Sequence, residues 1–321
     1  MIRLSEFLTR RRWWVLAAWL VVVALALPAS SKQTEDLVGG GFTVPASQSQ
    51  AVEDALGNDF KPDQAAGIGV VLQASASSTE EQRNAAVERL ARAVADQGQL
   101  TLARADEAKA RVDLREKGLA IVPLRSGLPA SELTDPAADL RVSLDPGDEQ
   151  DGVTPYLSGQ PAAYAGLQEL SKEDLAQAEK TGFPVVALIL LAVFGSAAAA
   201  SLPLALGLFS VVITGALIYL LSQQMEMSVF VTNMASMIGI GVAVDYSLFI
   251  LARFREEVRG GASGREARAT AISTSGLAVA FSGTAVIISL AGLWMIDNQA
   301  LRSMALGAMI VVAVAVLVAS T

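Results

Sequence analysis

A single acidic side chain lies within a long apolar stretch of this sequence. Asp245 is the only acidic residue between Val229 and Ala252, a run long enough to cross a bilayer as a helix. A carboxylate at that depth costs about 2.5–3.5 kcal/mol on insertion scales, so it is rarely retained without a function. A carboxyl group that binds and releases a proton there is what a proton-driven protein requires. The alternative is an Asp that is neutralised by a partner and only holds helices together.

Helical geometry assigns the neighbours of Asp245 to defined faces. Ile238, Gly241 and Phe249 fall on the same stripe as Asp245, whereas Tyr246 is turned by about 100° from it. Gly241 leaves room there for a neighbouring helix. Tyr246 lies beside an isolated acid, which favours a role as its hydrogen-bond partner. A space-filling amphipathic side chain is the alternative.

A stripe of small residues runs along a later apolar segment. Its members recur at intervals of three or four: Ser275, Ala278, Ser282, Ala285, Ser289 and Gly292. Small side chains let helix backbones approach closely, and hydroxyls can hydrogen-bond across such a contact. This small-residue stripe predicts a surface packed against the Asp245 helix or its partner, in which Ser282 supports a proton relay. For any single serine, helix packing without a relay is the favoured interpretation.

The composition excludes several kinds of chemistry. The chain contains no Cys and no His, so it offers no disulfide, no thiol chemistry, no imidazole base and no histidine metal ligand. We predict no cofactor and no metal site. An aspartyl intramembrane protease needs two membrane carboxyls and only one is present, so no enzyme is predicted. The soluble segment is acidic and Arg clusters only beside apolar runs, which argues against a nucleic-acid partner.

Six apolar segments predict six transmembrane helices. The first follows Arg10–Arg12, and a cleaved signal peptide is the alternative interpretation of it. The run from Phe183 to Leu221 carries no charge and, at ~1.5 Å per residue, is about twice as long as the hydrocarbon core is thick. It must therefore form two spans, and Gly195-Ser196 and Pro203 mark the predicted turn. The last three spans are predicted at 229–252, 270–294 and 301–321.

The distribution of Lys and Arg predicts the orientation of these spans. Basic residues are enriched on the cytoplasmic side of membrane proteins, so Arg10–Arg12 and the charged loop 253–268 are expected inside. Counting spans from a cytoplasmic N-terminus also places that loop inside, and it places residues 30–181 outside. We expect a multi-pass protein of the cytoplasmic membrane with an extracytoplasmic insertion.

The insertion has the composition and patterning of a soluble domain. Residues 29–181 contain 25 acidic and 14 basic residues. Short strands alternate with helices, which predicts an α/β or α+β layer. Thr79, or Ser78 before it, is expected to cap the second helix. The predicted elements are helices 47–60, 79–96 and 162–180, strands 68–73, 118–124 and 153–157, and a loop at 126–152.

These observations define the expected fold class and domains. The chain is predicted to be an α-helical polytopic membrane protein with six transmembrane helices and an extracytoplasmic α/β (α+β) domain inserted between spans 1 and 2. Residues 1–29 form the cytoplasmic N-terminus and the first helix, residues 30–181 the inserted domain, and residues 182–321 spans 2–6 with the cytoplasmic loop 253–268.

Several segments resemble the MMPL family of transporters, which belongs to the resistance-nodulation-division superfamily. The most specific is residues 239–257, GIGVAVDYSLFILARFREE, which contains Asp245 and Tyr246. Weaker similarities are Gly40–Pro45 (GGFTVP), Phe194-Gly195-Ser196 and Phe281-Ser282-Gly283. Together the similar segments extend over nearly the whole chain.

The resemblance implies a function and an architecture. It implies export of lipids, lipid-like metabolites or drugs across the cytoplasmic membrane, driven by the proton-motive force. In such proteins Asp245 and Tyr246 would relay protons opposite a matching pair, Phe249 would line the same pocket, and Gly241 and Ser282 would support it. The inserted domain resembles a porter domain that takes up a hydrophobic or lipid-like substrate from among the membrane lipids.

The chain departs from the family pattern in length. Family members usually have about twelve spans in two similar halves, so the resemblance implies that a second transporter half is needed as a partner. Two other functions remain open at this point: a protein-export accessory of the SecD/SecF type, and a non-transporting membrane scaffold or sensor half.

Overall fold

The computed structural model describes residues 11–34, 37–41, 44, 47–59, 65–128 and 132–321. Arg10, the Phe42, Thr43 and Pro45 positions of the GGFTVP segment and the predicted helix end at residue 60 lie outside the described residues. In chain order the elements are α1 (Arg12–Ser30), β1 (Leu37–Val38), α2 (Gln48–Asp59), β2 (Ala65–Ala74), α3 (Glu80–Gln97), α4 (Arg104–Lys117), β3 (Leu119–Arg125), α5 (Thr134–Leu144), β4 (Val153–Gly159), α6 (Gln160–Phe194), α7 (Ala197–Ser222), β5 (Met227–Ser228), α8 (Phe230–Arg259), α9 (Gly264–Ala271), a π-helical segment (Ile272–Gly276), α10 (Leu277–Ala291), a 3-10 turn (Gly292–Met295) and α11 (Gln299–Ser320).

These elements form two compact units. The α/β unit is Ala46–Lys172, and the membrane unit is Met1–Pro45 together with Glu173–Thr321. Six helices of the described chain are long and apolar enough to cross a membrane, which agrees with the predicted number of spans. The fifth of them runs from Gly264 to Met295 and includes the π-helical segment and the 3-10 turn.

Two details of the predicted spans are wrong. Pro203 does not belong to the turn between the second and third spans, because it lies within α7, whereas Gly195-Ser196 alone separates the two helices. Gly195 adopts a φ of +66°, and the Ser196 side chain accepts a hydrogen bond from the Ala199 backbone and caps α7. The predicted helix 162–180 is not a separate element either, since α6 continues unbroken into the second span.

The α/β unit is built on a three-stranded antiparallel sheet in the order β3-β2-β4. All three predicted strands are confirmed, each with slightly different bounds. Alternate residues of β3 are buried, and Ala120, Val122 and Leu124 pack with α3, α4 and α5 in one core. The predicted helix 79–96 is confirmed as α3, where Thr79 rather than Ser78 forms a capping box with Gln82.

Two helices of the α/β unit did not emerge from the sequence pattern. The segment that forms α4 received no assignment, and residues 134–144 of the predicted loop form α5. Helix α4 is strongly polar and no side chain caps its start, while α5 carries Pro136 in its first turn, where proline is tolerated. Both form because they bury one narrow face, with Leu114 and Leu140 fully enclosed in the core.

The membrane unit is organised around α8, which packs against α7 and α11. Gly239 of α8 faces Val311 of α11 so closely that a Cβ at this glycine would collide with the valine. The reverse contact occurs farther along the same helix pair, where Gly307 of α11 faces Val231 of α8 in the same way. Small residues at such positions let two helix backbones approach, which is how helices associate in a bilayer.

The loops of the membrane unit gather at its two ends. At one end β1 pairs in parallel with β5, the Ser228 hydroxyl donates to the Gly40 carbonyl, and the Ala300 amide donates to the Gly41 carbonyl. Gly41 has a φ of +91° and its Cβ would lie 3.2 Å from the Ala300 nitrogen, so this position requires glycine. The glycines of the GGFTVP segment therefore join the chain after the first span to the loops before α8 and α11.

The other end of the unit is held by Arg255 near the end of α8. Its Nη1 donates to the Phe194 carbonyl at 3.1 Å, and its guanidinium lies 5.2 Å from the centroid of the Phe194 ring. This contact satisfies a carbonyl in the last turn of α6 and offsets the negative end of that helix dipole. Two segments separated by 61 positions, Phe194-Gly195-Ser196 and the tail of the 239–257 segment, are thus one structural feature.

We expect Arg255→Ala to lower the melting temperature of the detergent-solubilised protein, because it removes the hydrogen bond and the ring contact together. A hydrogen bond to a charged group contributes about 1.5–3 kcal/mol and an exposed cation–π contact about 0.5–1 kcal/mol. Arg255→Lys should recover part of the loss, since lysine keeps the charge but not the planar guanidinium. Exposed Arg259 at the end of the same helix supplies the control variant Arg259→Ala. An equal loss in both alanine variants would contradict this assignment.

Candidate functional site

Asp245 lies midway along α8 on a face that the rest of the described chain leaves open. Met237 and Phe249 share this face and are 66% and 62% exposed. Gly241, one turn before Asp245, has no neighbouring atom within 4 Å of where its Cβ would be. The carboxylate itself is exposed. The predicted stripe therefore exists, except that Met237 is more exposed than Ile238 at its start.

Tyr246 points to the opposite environment, into the packed interior of the membrane unit. It is 7% exposed and clusters with Ala243, Val279 and Ala315 from α8, α10 and α11. Its ring and hydroxyl pack against Gly283 of α10, whose Cβ would lie 3.6 Å from the hydroxyl oxygen. Adjacent residues on one helix thus face different surroundings, as the turn of about 100° between them requires.

Neither side chain is tied to a polar partner in the part of the chain that the structure describes. The Asp245 carboxylate and the Tyr246 hydroxyl form no hydrogen bond or ion pair there, with each other or with any other described group. In the described structure the phenol is therefore held by packing, and no polar contact holds the carboxylate. The hydrogen bond between Tyr246 and Asp245 stays a prediction.

The small-residue stripe of the fifth span does not pack against α8, and its contact with a partner of that helix stays a prediction. Ala278, Ser282 and Ala285 are exposed, and the contact with Tyr246 is made by Gly283, which the stripe does not include. Gly283 is buried because α10 presents its other face to α8 and α11. Its Cβ would also collide with Val316 of α11, so glycine allows the three helices to meet. Gly283 belongs to the segment Phe281-Ser282-Gly283, which resembles the family, but the spacing of small residues did not identify it.

Ser282 and Asp245 are each the direct sequence neighbour of one member of the Tyr246–Gly283 contact, and both are exposed. Phe281, on the other side of Ser282, is 79% exposed. The open faces of α8 and α10 therefore flank one buried contact.

A second carboxylate of the membrane unit bonds to the same helix. The buried Ser236 hydroxyl of α8 donates to the Glu179 carboxylate of α6. Ser236 precedes Asp245 by nine residues, which turns it by about 180° to the far side of the helix. Sequence reasoning missed Glu179 because it lies among other charged residues just before the apolar run of α6. Its contact fixes α8 to α6 on the side away from Asp245.

Comparisons with known proteins agree on one family. A sequence model described as "MMPL family" matches residues 42–321. A protein of Mycolicibacterium smegmatis named "Mycolic acid-containing lipids exporter MmpL11" is 42% identical over 100% of this chain. A protein of Mycobacterium tuberculosis strain H37Rv named "Heme uptake protein MmpL11" is 39% identical, again over 100% of this chain. The chain spans about a third of the length of each, 34% in both cases.

A solved structure shares the fold at low sequence identity. The crystal structure of SecDF, a translocon-associated membrane protein from Thermus, superposes with a TM-score of 0.51 and 15% identity. The match covers 96% of this chain and 36% of the SecDF chain. At this identity the likeness concerns the fold alone.

The Gly283 contact gives a test of how α8, α10 and α11 meet. We expect Gly283→Ala to reduce the yield of monodisperse protein and its melting temperature, because the added methyl collides with Val316. Val316→Ala in the same chain should restore much of the loss, since it removes the colliding methyl groups. Gly292→Ala is the control, because its Cβ meets no described atom. Failure of Val316→Ala to rescue would contradict the contact.

Proposed function

Because the chain belongs to the MMPL family of transporters and is a multi-pass protein of the cytoplasmic membrane, we propose that it exports lipids or lipid-like compounds, using the proton gradient. Residues 42–321 match the family, and the relatives are about three times as long as this chain. The proposal therefore concerns the function of this chain together with a second transporter half.

One observation carries the proton-coupling part of the proposal: Asp245 is exposed on the open face of α8. A carboxylate at mid-membrane depth is costly against lipid, and intramembrane acids almost always face a protein interior or a water-filled cavity. The open face, with Met237, Gly241 and Phe249 beside Asp245, supports contact with a second half. We propose that the second half covers this face and leaves a path for protons to the carboxylate.

In the proposed mechanism Asp245 alternates between a charged and a protonated state. Protonation from the outside would remove the buried charge and favour one packing of the two halves, and release inside would favour the other. Tyr246 would limit where the carboxylate can move, because its ring is fixed against Gly283. Ser282 and Phe249 border the same open face and would line the proton path and its apolar wall.

Lipid substrates are favoured by the name of the Mycolicibacterium smegmatis relative, an exporter of mycolic acid-containing lipids. The second relative is named for heme uptake. We favour amphiphilic lipids over heme because the first relative is named as a lipid exporter, and we extend the proposal to lipid-like drugs as the broader class. An accessory role in protein export has support from the SecDF likeness only at the level of the fold.

We propose that the α/β unit lies outside and acts as a porter domain. The gathering of β1, β5 and the loop before α11 at one end of the membrane unit, and of Arg255 and Phe194 at the other, supports the alternating topology. One face of the sheet is free of helices in the described unit, and Val71, Ile121 and Tyr156 form a row across its three strands there. Such an apolar row supports contact with a hydrophobic substrate or with a second porter domain.

Asp245→Asn is expected to abolish gradient-dependent transport while expression and membrane insertion stay normal. Asparagine keeps the shape and can hydrogen-bond, but it cannot exchange a proton, and it removes a charge that is costly in the membrane. Tyr246→Phe should reduce transport less completely, because it removes one hydroxyl and no ionisable group. The measurement is flux of a lipid substrate in proteoliposomes that contain the full-length protein, with an imposed pH gradient.

The matched control for this experiment is Asp297→Asn. Asp297 lies in the loop before α11 and pairs with Arg302 at 3.1 Å, outside the apolar runs. It should keep wild-type flux. Wild-type, gradient-dependent flux in Asp245→Asn would remove the proton-relay role. Flux that is absent from the wild type itself, in spite of correct folding, would favour the scaffold or sensor alternative.

The proposed topology is tested by single cysteines, since none is native in these residues. Ala76 of the α/β unit and Arg265 of α9 are both exposed. We expect Ala76→Cys to react with a membrane-impermeant maleimide in intact cells. Arg265→Cys should react only after the membrane is opened, because loop 253–268 is placed inside. The reverse pattern would overturn the orientation.

A further inference from the structure

An apolar cavity of about 450 Å³ opens within the membrane unit, away from the Asp245 face. Volumes of ~300–1,000 Å³ are typical of sites for small molecules. Its walls come from five elements, and the lining residues are mostly aliphatic or aromatic side chains of α1, α7, α8, the start of the fifth span and α11. Trp19, Leu202, Phe209, Ile250, Phe254 and Ile272 are among them.

Two polar groups in the wall of this cavity lack a protein partner. Arg268 is the one ionisable residue that lines it, and its guanidinium makes no hydrogen bond or ion pair with any described residue. The Ser320 hydroxyl is buried and, in the described chain, is also without a hydrogen bond. The other hydroxyls are satisfied, because Ser247 donates to the Val244 carbonyl and Thr321 donates to the Leu317 carbonyl.

Acidic residues near Arg268 in sequence are engaged elsewhere. Glu266, on the same short helix, accepts from the backbone of Ser263 as part of a capping box. Glu256 and Glu257, at the end of α8, both pair with Arg253 at 2.7 Å. Among the described residues, the guanidinium at the cavity therefore has no compensating negative charge, and most of the other lining side chains are apolar.

The wall next to Arg268 is also irregular in its backbone. Ala271 ends α9, and the π-helical segment begins at Ile272; both residues line the cavity. Single-turn π segments inside helices occur often at functional sites. Here the wider turn lies where the fifth span leaves the charged loop, and it continues the wall that begins at Arg268.

We propose that this cavity binds an acyl chain of an anionic membrane phospholipid, whose phosphate is held by Arg268. The apolar walls match a hydrocarbon chain, and the unpaired cation matches an anionic head group. Arg268 lies two residues before the apolar part of the fifth span, which is the level at which lipid phosphates meet a transmembrane helix. The bound lipid is a component of the bilayer and not the exported substrate.

The proposal is tested by lipid binding to the delipidated full-length protein, without transport. Native mass spectrometry would compare phosphatidylglycerol with phosphatidylcholine of the same acyl chains. Both lipids carry a phosphate, but the choline ammonium of phosphatidylcholine offsets its charge, so we expect the wild type to bind phosphatidylglycerol about tenfold more tightly. Arg268→Gln should abolish this preference. Arg265→Gln, on the same helix but outside the cavity wall, should retain it.

A second pair of variants tests the acyl-chain part of the site. Leu202→Trp fills the cavity from α7 and should weaken the binding of both lipids, because the indole occupies the space of the chain. Leu208→Trp adds the same group to the same helix at a half-exposed position that does not line the cavity, and it should bind normally. Melting temperatures of all variants control for folding.

Three outcomes would overturn the proposal. They are equal phosphatidylglycerol binding in Arg268→Gln and Arg265→Gln, undiminished binding in a folded Leu202→Trp variant, and displacement of the lipid by exported substrate at equimolar concentration. The last result would assign the cavity to the transported substrate. None of these measurements depends on proton-coupled flux, so the site and the transport function succeed or fail separately.

Discussion

The close contact between α8 and α11 is the interaction on which the membrane unit depends. Lipid is as apolar as the helices, so burial of apolar surface does not drive helices together in a bilayer, and dense packing must do so. Gly239 and Gly307 each pack against a valine of the other helix, which brings the two backbones close at two points along their contact. A larger residue at either glycine would have to push the helices apart.

This contact also sets the rotation of α8 and therefore the surroundings of the candidate site. Asp245 lies about 120° around the helix from Gly239, so packing of Gly239 against α11 directs Asp245 to the open face. Tyr246 then falls between α10 and α11, where Gly283 leaves room for its ring. Ser236 meets Glu179 on the opposite side, so that α6 holds α8 from behind. Asp245 occupies the face of α8 that these contacts leave unused.

The sequence predicted much of this arrangement, and its failures have physical causes. The strands of the α/β unit were predictable because alternating burial is local. Helix α4 was not, since most of its residues are polar and it buries only Ala110 and Leu114, and α5 was not, since it lies in the segment 126–152 that was predicted as a loop. Pro203 was placed in a turn because proline usually interrupts helices, although it lies within the first turns of α7. The small-residue stripe did not identify the face of α10 that meets α8, because small size allows packing without requiring it.

The number of spans and the singular position of Asp245 were determined by the sequence itself, because hydropathy and charge belong to the residues in order along the chain. Family membership followed from the segment around Asp245 for the same reason. Only the tertiary structure decided that Asp245 is exposed while Tyr246 is buried, that Gly283 and not Ser282 meets Tyr246, and that Arg268 lines an apolar cavity without a partner among the described residues. Those facts depend on which helices meet and at what rotation, and such contacts join residues far apart in the chain that helical periodicity alone cannot relate.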